Sequence, residues 1–272
     1  MRTRPLAAAG ALGLAAVALT AVPATAADEA SLSVLHGVPG LTVDVYVDGD
    51  LTLDDFEPGT LAGPLDLPAG TYTVAITAAD AADDSEPAIG PVDLELAAST
   101  SYTAVAHLDA DGAPTATLFT DDTSTTKAGE GRLTVRHVAA APGVDVLAGG
   151  DAVVSGLENP KEQVLDLPAG TVSASVVAAG TTEPALLGPA DVPVTEGTST
   201  IVYAWGSASD QTLALATQTV DGLHSDPSAV QAGELGLAAD EGTAVWPYAL
   251  AAVALLGATG LAAVRRHATA TR

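Results

Sequence analysis

Along most of this chain apolar and polar residues alternate in short runs, and clusters of Gly, Pro, Asp and Thr separate the runs. Strict alternation sends neighbouring side chains to opposite faces of an extended backbone, so each run reads as a half-buried β-strand. The stretch after Gly70 shows the pattern: Tyr72, Val74 and Ile76 share one face, as Val172, Ala174 and Val176 do after Gly170. In the first half such segments begin near Leu32, Thr42, Leu51, Leu65, Thr71, Val92, Tyr102 and Thr115. Short strands with turn signals at this spacing predict an all-β chain of antiparallel β-sandwiches, immunoglobulin-like in type.

The pattern then repeats. LDLPAG occurs at Leu65–Gly70 and again at Leu165–Gly170, and the residues around the two copies also correspond. LSVLHGVPGLTVDV answers LTVRHVAAAPGVDV, which pairs His36 with His137 and Asp44 with Asp145. EPAIGPVDLEL answers EPALLGPADVPV, and TSYTAVAHL answers TSTIVYAWG. A period of about 100 residues is too long for a solenoid unit, so the chain carries two tandem domains, 32–121 and 132–221. Pro68 and Gly70, like Pro168 and Gly170, have the turn chemistry of a three-residue hairpin loop. The polar stretch 122–131 reads as a linker, and the glycine-containing stretch 222–244, which lacks strand alternation, as a stalk.

The two ends differ from this middle. Residues 1–26 have the parts of a secretory signal: Arg2 and Arg4, an apolar run from Leu6 to Val22, then Pro23 and Ala24-Thr25-Ala26 for cleavage. Residues 245–264 are free of charge, which as a helix gives about 30 Å, enough to cross a bilayer core. Trp246 and Tyr248 mark one rim of this span, and Arg265 and Arg266 open a basic tail, 265–272, at the other. The order predicts a single-pass membrane protein with its N-terminal body outside the cell. LPAGT, twice present, has the wrong order and place for sortase linkage to a cell wall.

Charge sharpens this picture. All 34 acidic residues lie between Asp28 and Glu241, accompanied only by Lys127, Arg132, Arg136 and Lys161. So acidic a body disfavours nucleic acid as a partner. The absence of cysteine excludes disulfides, thiolate chemistry and cysteine-held zinc.

In order, and twice, these motifs resemble a bacterial family, the domain of unknown function 4397. Its members open with a strand, a His, small residues and a Pro before Val-Asp-Val/Tyr, matched by VLHGVPGLTVDVYVDGD and by VRHVAAAPGVDVLAGGD. Its LPAGTY hairpin is matched at Leu67–Val74 and less fully at Leu167–Val172, and its later strand by TSYTAV. The resemblance implies an extracytoplasmic β-sandwich, commonly in tandem, and supplies no activity.

Candidate chemistry is sparse. His36 and His137 share a repeat position at a strand end, but neither copy offers a second His or Cys at ligand spacing, so each reads as an imidazole bonded to turn backbone. His107 aligns with Trp205, a substitution that suits packing rather than catalysis. Calcium is the better metal candidate because it takes oxygen ligands, and Asp48, Asp50, Asp54, Asp109 and Asp111 cluster in predicted turns. No EF-hand loop is completed, and no nucleophile elbow, HExxH or phosphate-binding loop is present. His36, Asp44, Pro68, Gly70, His137, Asp145, Pro168 and Gly170 read as structural signatures of the repeat. The sequence therefore predicts a non-catalytic, membrane-anchored surface protein whose partner is an extracellular protein or a cell-wall polymer. The alternatives are a calcium-dependent receptor or spacer, and a hydrolase on an unfamiliar sandwich.

Overall fold

The computed structural model describes residues 29–225. The expected signal peptide, membrane span and basic tail, and nearly all of the expected stalk, lie outside the described residues. Among the described residues, sixteen strands form four sheets. The first eight are β1 (Glu29–His36), β2 (Val43–Val47), β3 (Asp50–Phe56), β4 (Leu61–Pro68), β5 (Gly70–Ala78), β6 (Ile89–Leu96), β7 (Ser101–Leu108) and β8 (Pro114–Thr120). The second eight are β9 (Glu130–Ala140), β10 (Val144–Ala148), β11 (Asp151–Leu157), β12 (Lys161–Pro168), β13 (Gly170–Ala178), β14 (Ala185–Val194), β15 (Thr198–Ser207) and β16 (Ala214–Asp221).

Each copy is a sandwich of two four-stranded sheets. In the first, β4-β1-β7-β8 faces β3-β2-β5-β6; in the second, β12-β9-β15-β16 faces β11-β10-β13-β14. The sheets are not purely antiparallel. β1 pairs in parallel with β7, and β9 with β15. Successive strands reverse direction, so any two odd-numbered strands placed side by side must run the same way. The LPAG turn also differs from the expected hairpin. β4 pairs with β1, whereas β5 pairs with β2 and β6, so Pro68–Gly70 is a corner from one sheet to the other. Proline ends one ladder there because it has no amide to donate. In the first copy the Tyr72 hydroxyl donates to the Pro68 carbonyl at 2.7 Å. Prolines inside strands, Pro64 of β4, Pro91 of β6, and Pro189 and Pro193 of β14, all fall on edge strands, which have a ladder on one side only.

The alternating residues fill two cores. Val43, Val45, Val74, Ile76, Leu94 and Ala106 build the first, and Leu133, Val144, Val146, Val176, Val192 and Val202 the second. A third apolar cluster lies between the sandwiches: Leu35, Val105, Phe119, Val138, Ile201 and Tyr203. These side chains point outward from β1, β7, β8, β9 and β15, away from their own cores. The sheets β4-β1-β7-β8 and β12-β9-β15-β16 are therefore covered on both faces, one face by their own partner sheet and the other by each other.

Arg136 of β9 lies in this junction with only 1% of its side chain exposed. Its guanidinium donates to Asp121 Oδ1 at 2.9 Å, Glu162 Oε2 at 2.8 Å and the Tyr203 hydroxyl at 2.8 Å. It also lies over the Phe119 ring, 4.4 Å from the centroid. Asp121, at the end of the first copy, further accepts from Ser101 and Thr103. Thr103 also donates to Gln218 of the second copy. At the opposite end of the junction the Asn159 amide donates to the carbonyls of Leu108 and Ala139, one in each copy. Trp205 is seated against Gly37 and Gly59; a Cβ on Gly59 would lie 2.8 Å from the indole.

The connecting stretch is pinned as well. Arg132 forms a bidentate pair with Asp166 and donates to the carbonyls of Asp122 and Ser124. The Thr126 amide donates to the carbonyl of Leu223, a residue only 1% exposed. The first residues of the expected stalk thus pack against the linker.

Removing one partner of a buried ion pair leaves the other charge uncompensated, at a cost of about 3–5 kcal/mol. An Arg136→Met protein is expected to lose stability in that range by urea unfolding. Adding Asp121→Asn should restore part of the loss, because the stranded carboxylate is then gone.

Candidate functional site

The repeat-signature residues hold turns. His36 Nε2 lies 2.6 Å from the Leu41 carbonyl, and His137 Nε2 lies 3.1 Å from the Pro142 carbonyl. A carbonyl only accepts, so Nε2 carries the proton in both rings and Nδ1 is the bare nitrogen. Each Nδ1 is buried without a partner. His36 also stacks on Phe56 at 5.9 Å. His107, fully buried, bonds the Leu108 carbonyl through Nδ1 and the Thr117 hydroxyl through Nε2. Burial holds all three imidazoles below the ordinary value of 6.5, and the backbone bonds offset it only in part.

Asp44 and Asp145 hold the bulged end of the neighbouring strand. Asp44 Oδ1 accepts the Asp55 amide at 2.9 Å, and Asp145 Oδ1 accepts the Gly156 amide at 2.7 Å. Both amides belong to residues with positive φ, 51° at Asp55 and 64° at Gly156. Asp145 Oδ2 also accepts the Gly180 amide at 2.8 Å. That bond has no counterpart in the first copy, where Asp80 stands in place of Gly180.

The acidic turns separate into different places. Asp109 closes its own turn, accepting the amides of Asp111 and Ala113. Asp48 accepts the Thr73 amide, and Asp50 is exposed at the start of β3. Asp54 alone of the five joins other carboxylates: one oxygen each from Asp44, Asp54 and Asp55 lie within 4.8 Å of one another. Asp44 and Asp55 are the members that sequence reasoning missed as donors. Asp44 had been visible only as a repeat signature, and Asp55 only as a neighbour of Asp54.

These carboxylates lie on the outer face of the β3-β2-β5-β6 sheet. There Asp44 and Tyr46 alternate with the inward Val43, Val45 and Val47. On this face Thr77 is fully buried and Ala75 6% exposed, and Val177, which matches Thr77 in the second copy, is fully buried too. Partial burial raises the Tyr46 phenol above 10.0, and the fields of Asp44, Asp84, Asp83 and Asp54 add to the effect. In the second copy the connection after β13, 179–184, is shorter than its counterpart 79–88 in the first. The same face there is an open groove of about 720 Å³, bordered by Leu147, Ser173, Ser175 and Glu183.

The fold is thus an all-β protein of two sandwich-like units. Residues 30–147 match the model of the family described as Domain of unknown function (DUF4397). The match spans the whole first sandwich and runs on through β9 into β10 of the second. No curated protein matches the chain.

A histidine whose folded value is depressed is protonated more readily when unfolded, so stability falls as pH drops below about 6.5. Between about pH 7.5 and 5.5 the three buried rings are expected to reduce stability, because the unfolded chain binds protons that the folded one refuses. Urea unfolding at the two pH values measures this, and a His36→Gln, His137→Gln protein should show a smaller loss. A flat profile would contradict the assignment of these rings as buried and neutral.

Proposed function

We propose that the protein is a non-catalytic surface protein, anchored in the membrane, whose two sandwiches form one stiff presenting body. The observation that carries this reading is the sheet-on-sheet junction. Tandem domains joined only by a polar linker would swing independently, whereas these share an apolar layer, a buried ion pair and a pinned connection. A stiff body fixes the distance and angle at which its outer sheets are offered to a partner. The signal segment 1–26 and the span 245–264 supply export and tether in this reading, and the excess of acid keeps the body solvated. The immunoglobulin-like character of each sandwich belongs to the same proposal. The partner is an extracellular protein or wall polymer, and the open groove of the second sandwich offers it a concave contact surface. A hydrolase would need a nucleophile and a base in one cleft. His36 and His137 instead have Nε2 committed to backbone carbonyls.

Cell fractionation tests the tether. The full chain should remain with the membranes, external protease should release its body from intact cells, and truncation after Ser225 should send it into the medium. Recovery of the uncleaved full chain from the cytosol would overturn the proposal.

A further inference from the structure

The two copies diverge most in chemistry at one equivalent place, the outer face around Asp44 and Asp145. In the second copy every polar demand is met. Asp145 has an amide on each oxygen, Gly156 occupies the positive-φ position, and Val177 stands across the strand pair from Asp145. In the first copy Asp44 is 4% exposed and receives one amide. The residues matching Ser155 and Gly156 are Asp54 and Asp55, and the residue matching Val177 is Thr77.

Thr77 is the independent observation. It pairs directly with Asp44 across β2 and β5, so its side chain leaves the sheet on the same face as the Asp44 carboxylate. It is 0% exposed, and its hydroxyl has no hydrogen-bond partner. A buried hydroxyl left without a partner costs about 1–3 kcal/mol, and a valine of similar shape, as in the second copy, avoids that cost. The carboxylates of Asp44, Asp54 and Asp55 are drawn together on this face and repel one another. A dication between them would relieve the repulsion and give the hydroxyl oxygen something to bind.

We propose that the first sandwich binds a calcium ion on the outer face of its β3-β2-β5-β6 sheet, held by Asp44, Asp54, Asp55 and Thr77. The donor set is oxygen only, mixed in charge and irregular, which suits calcium; magnesium demands near-ideal octahedral geometry and keeps its water. Asp44 is buried while Asp54 and Asp55 are exposed, so the ion would sit at the edge of the sheet face, open to water on one side. The second sandwich has lost the site, and its face is open. This inference is independent of the tethering proposed above.

The test is thermal unfolding of the full chain in detergent, at fixed ionic strength, in calcium, in magnesium and in chelator. About 1 mM calcium is expected to raise the midpoint by roughly 3–6 °C, reversibly by chelator and with little effect of magnesium. Asp55→Gly and Thr77→Val each install the residue that the second copy already carries in the same backbone position. Both should fold normally in chelator and lose most of the calcium shift, whereas Asp109→Asn should keep it. No calcium shift in the parent protein, an equal response to magnesium, or a full shift in both variants would each overturn the proposal.

Discussion

One charged side chain sits where two sheets meet, and the relation between the sandwiches depends on it. Arg136 has left water to lie between β9, β15 and the end of β8, and such a move is costly unless its donors are met. Here they are met by two carboxylates and a phenol, with an aromatic ring beneath the guanidinium. Buried ion pairs add little net stability against apolar residues of the same shape. The driving force for the junction comes from Leu35, Val105, Phe119, Val138, Ile201 and Tyr203, whose burial removes apolar surface from water. The ion pair makes the junction specific, because any slippage of one sheet over the other would strand Arg136 or Asp121.

The duplicated architecture divides its outward faces accordingly. The inner sheets of the two copies cover each other, so the sandwiches are joined there through Arg136, Asp121 and Thr103. The outer sheets are left free to diverge, and they have. A longer, acidic connection follows β5 in the first, and a shorter one borders a groove on the second. The same backbone position holds Asp55 in one copy and Gly156 in the other, both at positive φ. This pairing shows that a common fold constraint, the tight bulge held by Asp44 or Asp145, is compatible with different surface chemistry.

Much of the fold could be read from the chain. Alternation placed the eight strands of each copy, and self-similarity revealed the tandem. The LPAG motif announced a tight turn but not its partners, because a turn residue fixes local dihedrals and says nothing about which sheet the next strand enters. The junction was also written in the sequence, in a less direct form. TAVAHL and TIVYAWG are nearly continuous apolar runs rather than alternating ones, the mark of strands covered on both faces. Arg136 gave no sign, since an arginine in a strand normally marks a solvated face and its acceptors come from Asp121, Glu162 and Tyr203, distant along the chain. Of the acidic candidates, only Asp54 met other carboxylates. Proximity in sequence had grouped Asp48 and Asp50 with it, whereas the cross-strand pairing of β2 with β3 brought in Asp44.

The central claim is that the two sandwiches unfold as one body. Trp205 belongs to the second copy but packs against Gly37 and Gly59 of the first, so its fluorescence reports on the junction. Urea unfolding of a fragment spanning residues 28–225 can be followed at once by this fluorescence and by the far-ultraviolet circular dichroism of both sandwiches. A shared junction predicts a single transition with coincident midpoints. An early change in Trp205 emission, followed by a separate loss of strand signal, would show that the sandwiches part before they unfold and would contradict the account.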